Sequence, residues 1–85
     1  MDEKIKELIA IGASVAGHCQ PCLTYHVGRA KELGVGAGEI REALDVGHMV
    51  ERGAMAAMKN YAKEVMGESV SDAPVCRGST RDTGS

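Results

Sequence analysis

The sequence predicts an all-α fold, a bundle of three to four helices that is completed by oligomerisation. Apolar residues recur at steps of three and four along residues 2–66, as they do on one face of a helix. Glycines punctuate this pattern at Gly17, in the segment 34–38 and at Gly67. With 85 residues, two Tyr and neither Phe nor Trp, the chain can bury only a small core, so we expect neighbouring subunits to cover it.

The first two helices are predicted from their caps and apolar faces. Asp2 is a plausible N-cap, and the face that follows it consists of Ile5, Leu8, Ile9, Gly12, Val15 and Ala16. The second helix is expected to begin near Cys19 or Gln20, because proline is well tolerated in a first helical turn and Pro21 follows. Its predicted face consists of Leu23, His26, Val27, Ala30 and Leu33.

A third helix is expected to begin near Glu39, whose charge suits a helix N-terminus. Its predicted stripe consists of Ile40, Ala43, Leu44, Gly47 and Val50. We expect a break at Gly53 and a fourth helix over 54–66, since glycine costs about 1 kcal/mol relative to alanine within a helix. The alternative is one helix over 39–66. The later apolar residues are expected to form a core or subunit-contact stripe: Met55, Met58, Tyr61, Ala62, Val65 and Met66.

The domain organisation is predicted to be one helical domain, residues 1–66, followed by a flexible C-terminal tail, residues 67–85. From Glu68 onwards the chain has no Ile, Leu, Met or aromatic residue, so it cannot offset its ordering entropy by burial. The tail carries Cys76, which is expected to be an ordinary exposed thiol; an alternative is that Cys76 resolves or relays a disulfide.

Charge and hydropathy exclude two classes of partner. Ten Lys and Arg against twelve Asp and Glu give a net charge of −2, which argues against a nucleic-acid binder. No apolar run approaches the roughly 18 residues of a membrane span, and the charged N-terminus is unlike a secretory signal. We therefore expect a cytoplasmic protein, in which paired cysteines tend to be catalytic, metal-binding or redox-sensing.

The informative motif is Cys19-Gln20-Pro21-Cys22, followed by His26. On a helix, steps of three and four place the two thiols and the imidazole on one face, where the thiols can close a disulfide. A helix N-terminus favours thiolate over thiol, and His26 can accept the proton of Cys22. Glu7 lies near the inward edge of the first helix and could orient the histidine. The residues alone favour a solvated Glu7.

Glu7, eleven intervening residues and the C-x-x-C-x-x-x-H run resemble the motif of the alkylhydroperoxidase AhpD-like, or carboxymuconolactone decarboxylase, family, over roughly residues 4–66. The resemblance implies an all-helical fold and a homotrimer or homohexamer. It also implies a thiol-dependent redox enzyme, a peroxidase or a disulfide reductase. In that enzyme Cys22 attacks a hydroperoxide, Cys19 resolves the sulfenic acid to a disulfide, and His26 and Glu7 relay protons. An unidentified dithiol or protein would serve as reductant, and no cofactor or metal is assigned.

Two points leave the redox role open. Some peroxidase members of that family carry a histidine directly before the second cysteine, where this chain has Pro21, with a histidine at His18 instead. A simpler thiol–disulfide exchange therefore stays possible. The helix dipole favours Cys19 as nucleophile, whereas His26 and the resemblance favour Cys22, and we adopt Cys22.

Two further functions are alternatives. Cys19, Cys22 and His26 could bind zinc, with His18 or Cys76 completing four ligands, or subunits could share an iron–sulfur cluster. A non-redox decarboxylase would use His26 and Glu7 without a thiol. The presence of both cysteines argues against it.

Overall fold

The computed structural model describes residues 1–68, and it contains three α-helices: α1 (Glu3–Ala16), α2 (Gln20–Glu32) and α3 (Ala37–Met66). The all-α prediction is confirmed. Cys76 and most of the predicted tail lie outside the described residues. The chain divides into two compact units, of which the first spans Met1–His48 and the second begins at Met49.

Both ends of α1 follow the sequence prediction. The Asp2 side chain accepts the backbone N–H of Lys4 at 2.8 Å, which satisfies one of the free donors in the first turn. At the other end, the N–H of Gly17 donates to the carbonyl of Ala13 at 2.8 Å, and the helix stops at Ala16.

The C-terminus of α2 is a Schellman turn built on Gly34. Gly34 has a φ of +85°, a left-handed conformation that glycine adopts without steric cost. The N–H of Val35 donates to the carbonyl of Ala30 at 3.0 Å, and that of Gly34 donates to Lys31 at 3.0 Å. Ala30 and Val35 are both buried in the core, so the turn brings the chain back over it.

The third helix differs from its prediction at its start and in its middle. It begins at Ala37, and the Glu39 carboxylate accepts the N–H of Gly36 at 3.4 Å, as the third helical residue does in a capping box. The expected break at Gly53 is wrong, since α3 is continuous to Met66. The residues around Gly53 include Ala, Met, Lys and Glu, which are strong helix formers and outweigh one glycine.

The core lies in the first unit and is small. Ile11 is fully buried, and Ala30, Val35 and Ile40 surround it. Partly buried apolar residues from the three helices pack against this cluster: Leu8, Leu23, Val27, Leu33, Ala43 and Leu44. The predicted faces of α2 and of the first half of α3 are thus confirmed, except that Val50 is exposed.

The predicted inner face of α1 is rotated. Ile5 and Ile9 are half exposed, whereas Glu7, Ile11, Ser14 and Val15 are the buried residues of this helix. The spacing of apolar residues cannot distinguish a helix face that is buried within the chain from an apolar face that stays exposed, because both carry the same residue types. The rotation places a carboxylate, Glu7, inside the first unit.

Two glycines let α1 and α3 approach closely. A Cβ on Gly47 would lie 2.6 Å from the carbonyl oxygen of Gly12 and 2.8 Å from the Cβ of Val15. A Cβ on Gly12 would meet the carbonyl oxygen of Ala43 at 3.3 Å. Gly47 therefore fits only because it has no side chain, and this contact fixes α1 against the first half of α3.

In the second unit, the described part of α3 buries none of its large apolar side chains within the chain. Met55, Met58, Tyr61, Val65 and Met66 are all more than half exposed. The expectation that this stripe is a core is therefore wrong. The alternative expectation, that the stripe contacts another subunit, stays a prediction. None of the helices in residues 1–68 is both long and apolar enough to cross a bilayer.

We predict that Gly47→Ala destabilises the protein by about 1–3 kcal/mol, because the added methyl group would overlap backbone atoms of α1 that cannot rotate away. The free energy of unfolding from urea titration at fixed protein concentration measures the effect. Gly28→Ala is the matched control, since no atom lies within 4 Å of its Cβ position inside α2. It should be neutral or stabilising by up to about 1 kcal/mol. Equal stability of the two variants would contradict the close α1–α3 contact.

Candidate active site

The turn between α1 and α2 holds Cys19 against the end of α1. The N–H of Cys19 donates to the carbonyl of Ser14 at 2.9 Å, and the N–H of His18 donates to that of Val15 at 3.1 Å. His18 has a φ of +55°, which is uncommon for a residue other than glycine. The buried Ser14 also donates its hydroxyl to the carbonyl of Ala10 at 2.7 Å. The backbone of the first cysteine is thereby fixed to the helix that carries Glu7.

Cys19 is the N-cap of α2. Its backbone is extended, and its sulfur accepts the N–H of Cys22 at 3.3 Å. The predicted face therefore holds only in part: Cys22 and His26 lie one turn apart on α2, whereas Cys19 precedes the helix.

The two cysteines form a disulfide, with Cα atoms 5.2 Å apart. The sequence prediction that this pair can close a disulfide is confirmed in the structure. Cys22 is exposed, and Cys19 is partly buried. The two residues therefore differ in exposure and in position relative to the N-terminus of α2.

Glu7 and His26 form a short hydrogen bond between α1 and α2. The Nδ1 atom of His26 lies 2.6 Å from Oε1 of Glu7, and the two side chains are 28% and 8% exposed, respectively. A carboxylate that is almost fully buried needs a partner, because burial without one would be costly. The solvated Glu7 that the residues alone favour is therefore wrong. The proton relay through Glu7 that the resemblance implies stays a prediction.

This hydrogen bond bears on which ring nitrogen of His26 carries the proton. An ionised carboxylate only accepts hydrogen bonds, so opposite an ionised Glu7 the Nδ1 atom of His26 donates, and a neutral ring then keeps the lone pair on Nε2. In that tautomer Nε2 is the ring nitrogen that can accept a proton. The exposed ring of Tyr25 lies edge-on to the imidazole, with ring centroids 5.0 Å apart and planes at 81°.

The structure brings the four predicted site residues together in two pairs, Glu7 with His26 and Cys19 with Cys22. The register of α2 connects the pairs, since residues four apart on a helix have Cβ atoms about 5–6 Å from each other. The sequence did not single out Ser14 as an anchor. The available signal was a serine in the last turn of α1, three residues before Gly17.

A metal site finds no support in the described part of the chain. Within residues 1–68, no group of three or more His, Cys, Asp or Glu side chains is arranged to hold a metal ion. Cys76, one of the two ligands proposed to complete such a site, lies outside those residues.

Comparison with known proteins gives one finding on family. The family model described as "Carboxymuconolactone decarboxylase family" matches residues 1–68, which include all three helices and the four site residues. No curated protein and no solved structure matches the chain.

Proposed function

Because this chain belongs to the carboxymuconolactone decarboxylase family, we propose that it is a thiol-dependent redox enzyme, a peroxidase or disulfide reductase, that cycles the Cys19–Cys22 disulfide. One observation supports this above the others: an exposed cysteine, already paired with a second cysteine, lies one helical turn from a histidine that a buried carboxylate orients. A nucleophile, a base and an orienting group are the parts that thiol chemistry requires.

In the oxidising half-reaction, His26 accepts the proton of the Cys22 thiol at Nε2. The thiolate attacks one peroxide oxygen, the O–O bond breaks, and Cys22 becomes a sulfenic acid. The departing alkoxide or hydroxide takes the proton from His26 and leaves as an alcohol or water. The proton removed from the thiol is therefore the one returned, and Glu7 stabilises the imidazolium that exists in between.

Cys19 completes the half-reaction. Its sulfur attacks the sulfenic sulfur of Cys22, the S–O bond breaks, and the hydroxyl group leaves as water with the proton of the Cys19 thiol. The product is the Cys19–Cys22 disulfide seen in the structure. If the oxidant is a disulfide instead of a peroxide, Cys22 attacks it, and Cys19 then displaces the reduced thiol.

If turnover follows the thiol mechanism, single substitutions should lower the rate to different, predictable extents. In steady-state peroxide consumption with a dithiol reductant, Cys22→Ser should abolish turnover, because it removes the nucleophile. His26→Gln should slow the oxidation of Cys22 by about 10²–10⁴-fold, the usual effect of losing a general base. His48→Gln, a matched histidine substitution on the exposed surface of α3, should leave the rate unchanged.

The outcomes separate the rival functions. Peroxide turnover that persists in Cys22→Ser would contradict the proposal. If the wild type consumes no peroxide but reduces a disulfide substrate, and Cys22→Ser does not, the enzyme is a disulfide reductase. Activity on a lactone that survives Cys22→Ser but not His26→Gln would instead indicate the non-redox decarboxylase.

We also propose that the protein is a homo-oligomer, a trimer or hexamer. The first unit buries only five apolar residues, a small core for a stable domain. Ile5 and Ile9 on α1 are half exposed, as are Val46, Met55, Met58 and Val65 on α3. On α3, Met55, Met58 and Val65 recur at steps of three and seven and so share one face, and copies of the same chain would cover such an apolar face.

We predict that Met58→Glu weakens self-association at least tenfold, because it introduces a charge into the apolar stripe of α3, where burial without a partner is costly. Met58 is 64% exposed in the single chain, so the substitution does not disturb the core. Lys59→Gln changes the net charge by the same amount at the neighbouring exposed position and should leave association intact. Sedimentation velocity measures both variants, and a wild-type monomer would contradict the proposal.

A further inference from the structure

The ring of Tyr25 is exposed, yet it lies against a residue of the candidate active site. Tyr25 is 64% exposed, and its ring centroid is 5.0 Å from that of His26, with the two planes at 81°. Consecutive residues of a helix point about 100° apart, so their side chains do not ordinarily face each other. The Tyr25 ring is therefore turned toward the imidazole instead of extending away from α2.

The register of α2 places both rings beside Cys22. Tyr25 follows Cys22 by three residues and His26 follows it by four, and residues at these two spacings are neighbours on a helix surface. Side chains of a helix lean toward its N-terminus, so both rings lean over the turn that carries Cys22. Because Cys22 is itself exposed, a substrate that reaches this residue meets the two rings together.

Packing within the first unit does not account for Tyr25. In residues 1–68, the apolar core takes Leu23 and Val27 from this part of α2 and leaves Tyr25 out. An aromatic side chain offers a large and rigid apolar surface, which is of use only where something packs against it. The exposed side of the ring is therefore available to a molecule that is bound at Cys22.

The peroxide step determines which part of a substrate would meet this ring. When the Cys22 thiolate attacks a hydroperoxide, sulfur bonds to the hydroxyl oxygen and the O–O bond breaks. The other oxygen, which carries the organic group, takes the electron pair and then the proton held by His26, and it leaves as an alcohol. This oxygen must reach the imidazole, so its organic group lies beside the ring that contacts the imidazole.

We propose that Tyr25 is a specificity-determining residue, whose ring contacts the organic group of a hydroperoxide and favours an apolar or aromatic group. The inference deepens the proposed function and rests on its peroxidase form. Hydrogen peroxide has no organic group, so its reaction does not depend on the ring. Contact between one exposed ring and a group of the size of a phenyl ring should raise the rate about 3–10-fold.

The test compares two peroxides in the oxidation of reduced protein. Protein carrying Cys76→Ser, which removes the third thiol, is reduced, freed of reductant and mixed with cumene hydroperoxide or hydrogen peroxide. Quenching with N-ethylmaleimide and mass measurement give the loss of the Cys19 and Cys22 thiols with time. The readout is the ratio of the two second-order rate constants, because the intrinsic reactivities of the peroxides cancel when this ratio is compared between variants.

Tyr25→Ala should lower the ratio about 3–10-fold by slowing the reaction with cumene hydroperoxide alone. Tyr25→Phe keeps the ring and should keep the wild-type ratio. Lys31→Ala, at an exposed position further along the same helix, is the control and should also keep it. Sedimentation velocity should show the same assembly state for Tyr25→Ala and the wild type.

The other results would each overturn the inference. An unchanged ratio in Tyr25→Ala would show that the ring does not contact the organic group, and equal slowing with both peroxides would show that it acts only on His26. A ratio lowered as far in Tyr25→Phe would assign the effect to the hydroxyl, and an altered assembly state would assign it to subunit contacts. If neither peroxide oxidises the wild type, the peroxidase function fails too, whereas oxidation with an unchanged ratio removes the inference alone.

Discussion

The hydrogen bond between Glu7 and His26 is the interaction on which the site depends. It joins α1 to α2 over 2.6 Å and gives a nearly buried carboxylate its partner. The rotation of α1 that leaves Ile5 and Ile9 half exposed is the one that places Glu7 inside. The face of α1 that covers the core therefore also brings the Glu7 carboxylate to His26 on α2. The register of α2 in turn places His26 one turn from Cys22.

The rest of the first unit holds these two helices in register. The turn after Gly17 is tied to α1 through the carbonyls of Ser14 and Val15, so Cys19 has a fixed place at the start of α2. The close contact of Gly12 with Gly47 holds α3 against α1. The disulfide is therefore attached to the framework through Cys19, while Cys22 faces solvent. In our proposal the two cysteines have different roles: Cys22 is the nucleophile, and Cys19 resolves its sulfenic acid.

Much of the fold follows from the sequence, and the failures have physical reasons. Asp2, Pro21 and Gly67 mark helix ends because each has a local conformational effect that neighbours do not override. Gly53 fails as a break because the strong helix formers around it outweigh its cost. The spacing of apolar residues could not show which face of α1 is buried or that Glu7 lies on it. The burial of this carboxylate depends on His26, a partner 19 residues away. The resemblance pairs Glu7 with His26 across those residues, which periodicity cannot do, and the structure shows a hydrogen bond between the two side chains.

The most direct test of the account is a double-mutant cycle on Glu7 and His26, with the rate of Cys22 oxidation by peroxide as readout. If Glu7 acts only by orienting His26, Glu7→Gln should slow oxidation in the wild type but have no further effect in the His26→Gln background. Glu3→Gln, on the exposed face of the same helix, serves as the control and should be silent in both backgrounds. Independent, multiplicative losses from Glu7→Gln and His26→Gln would contradict the claim that the pair acts as one unit on Cys22.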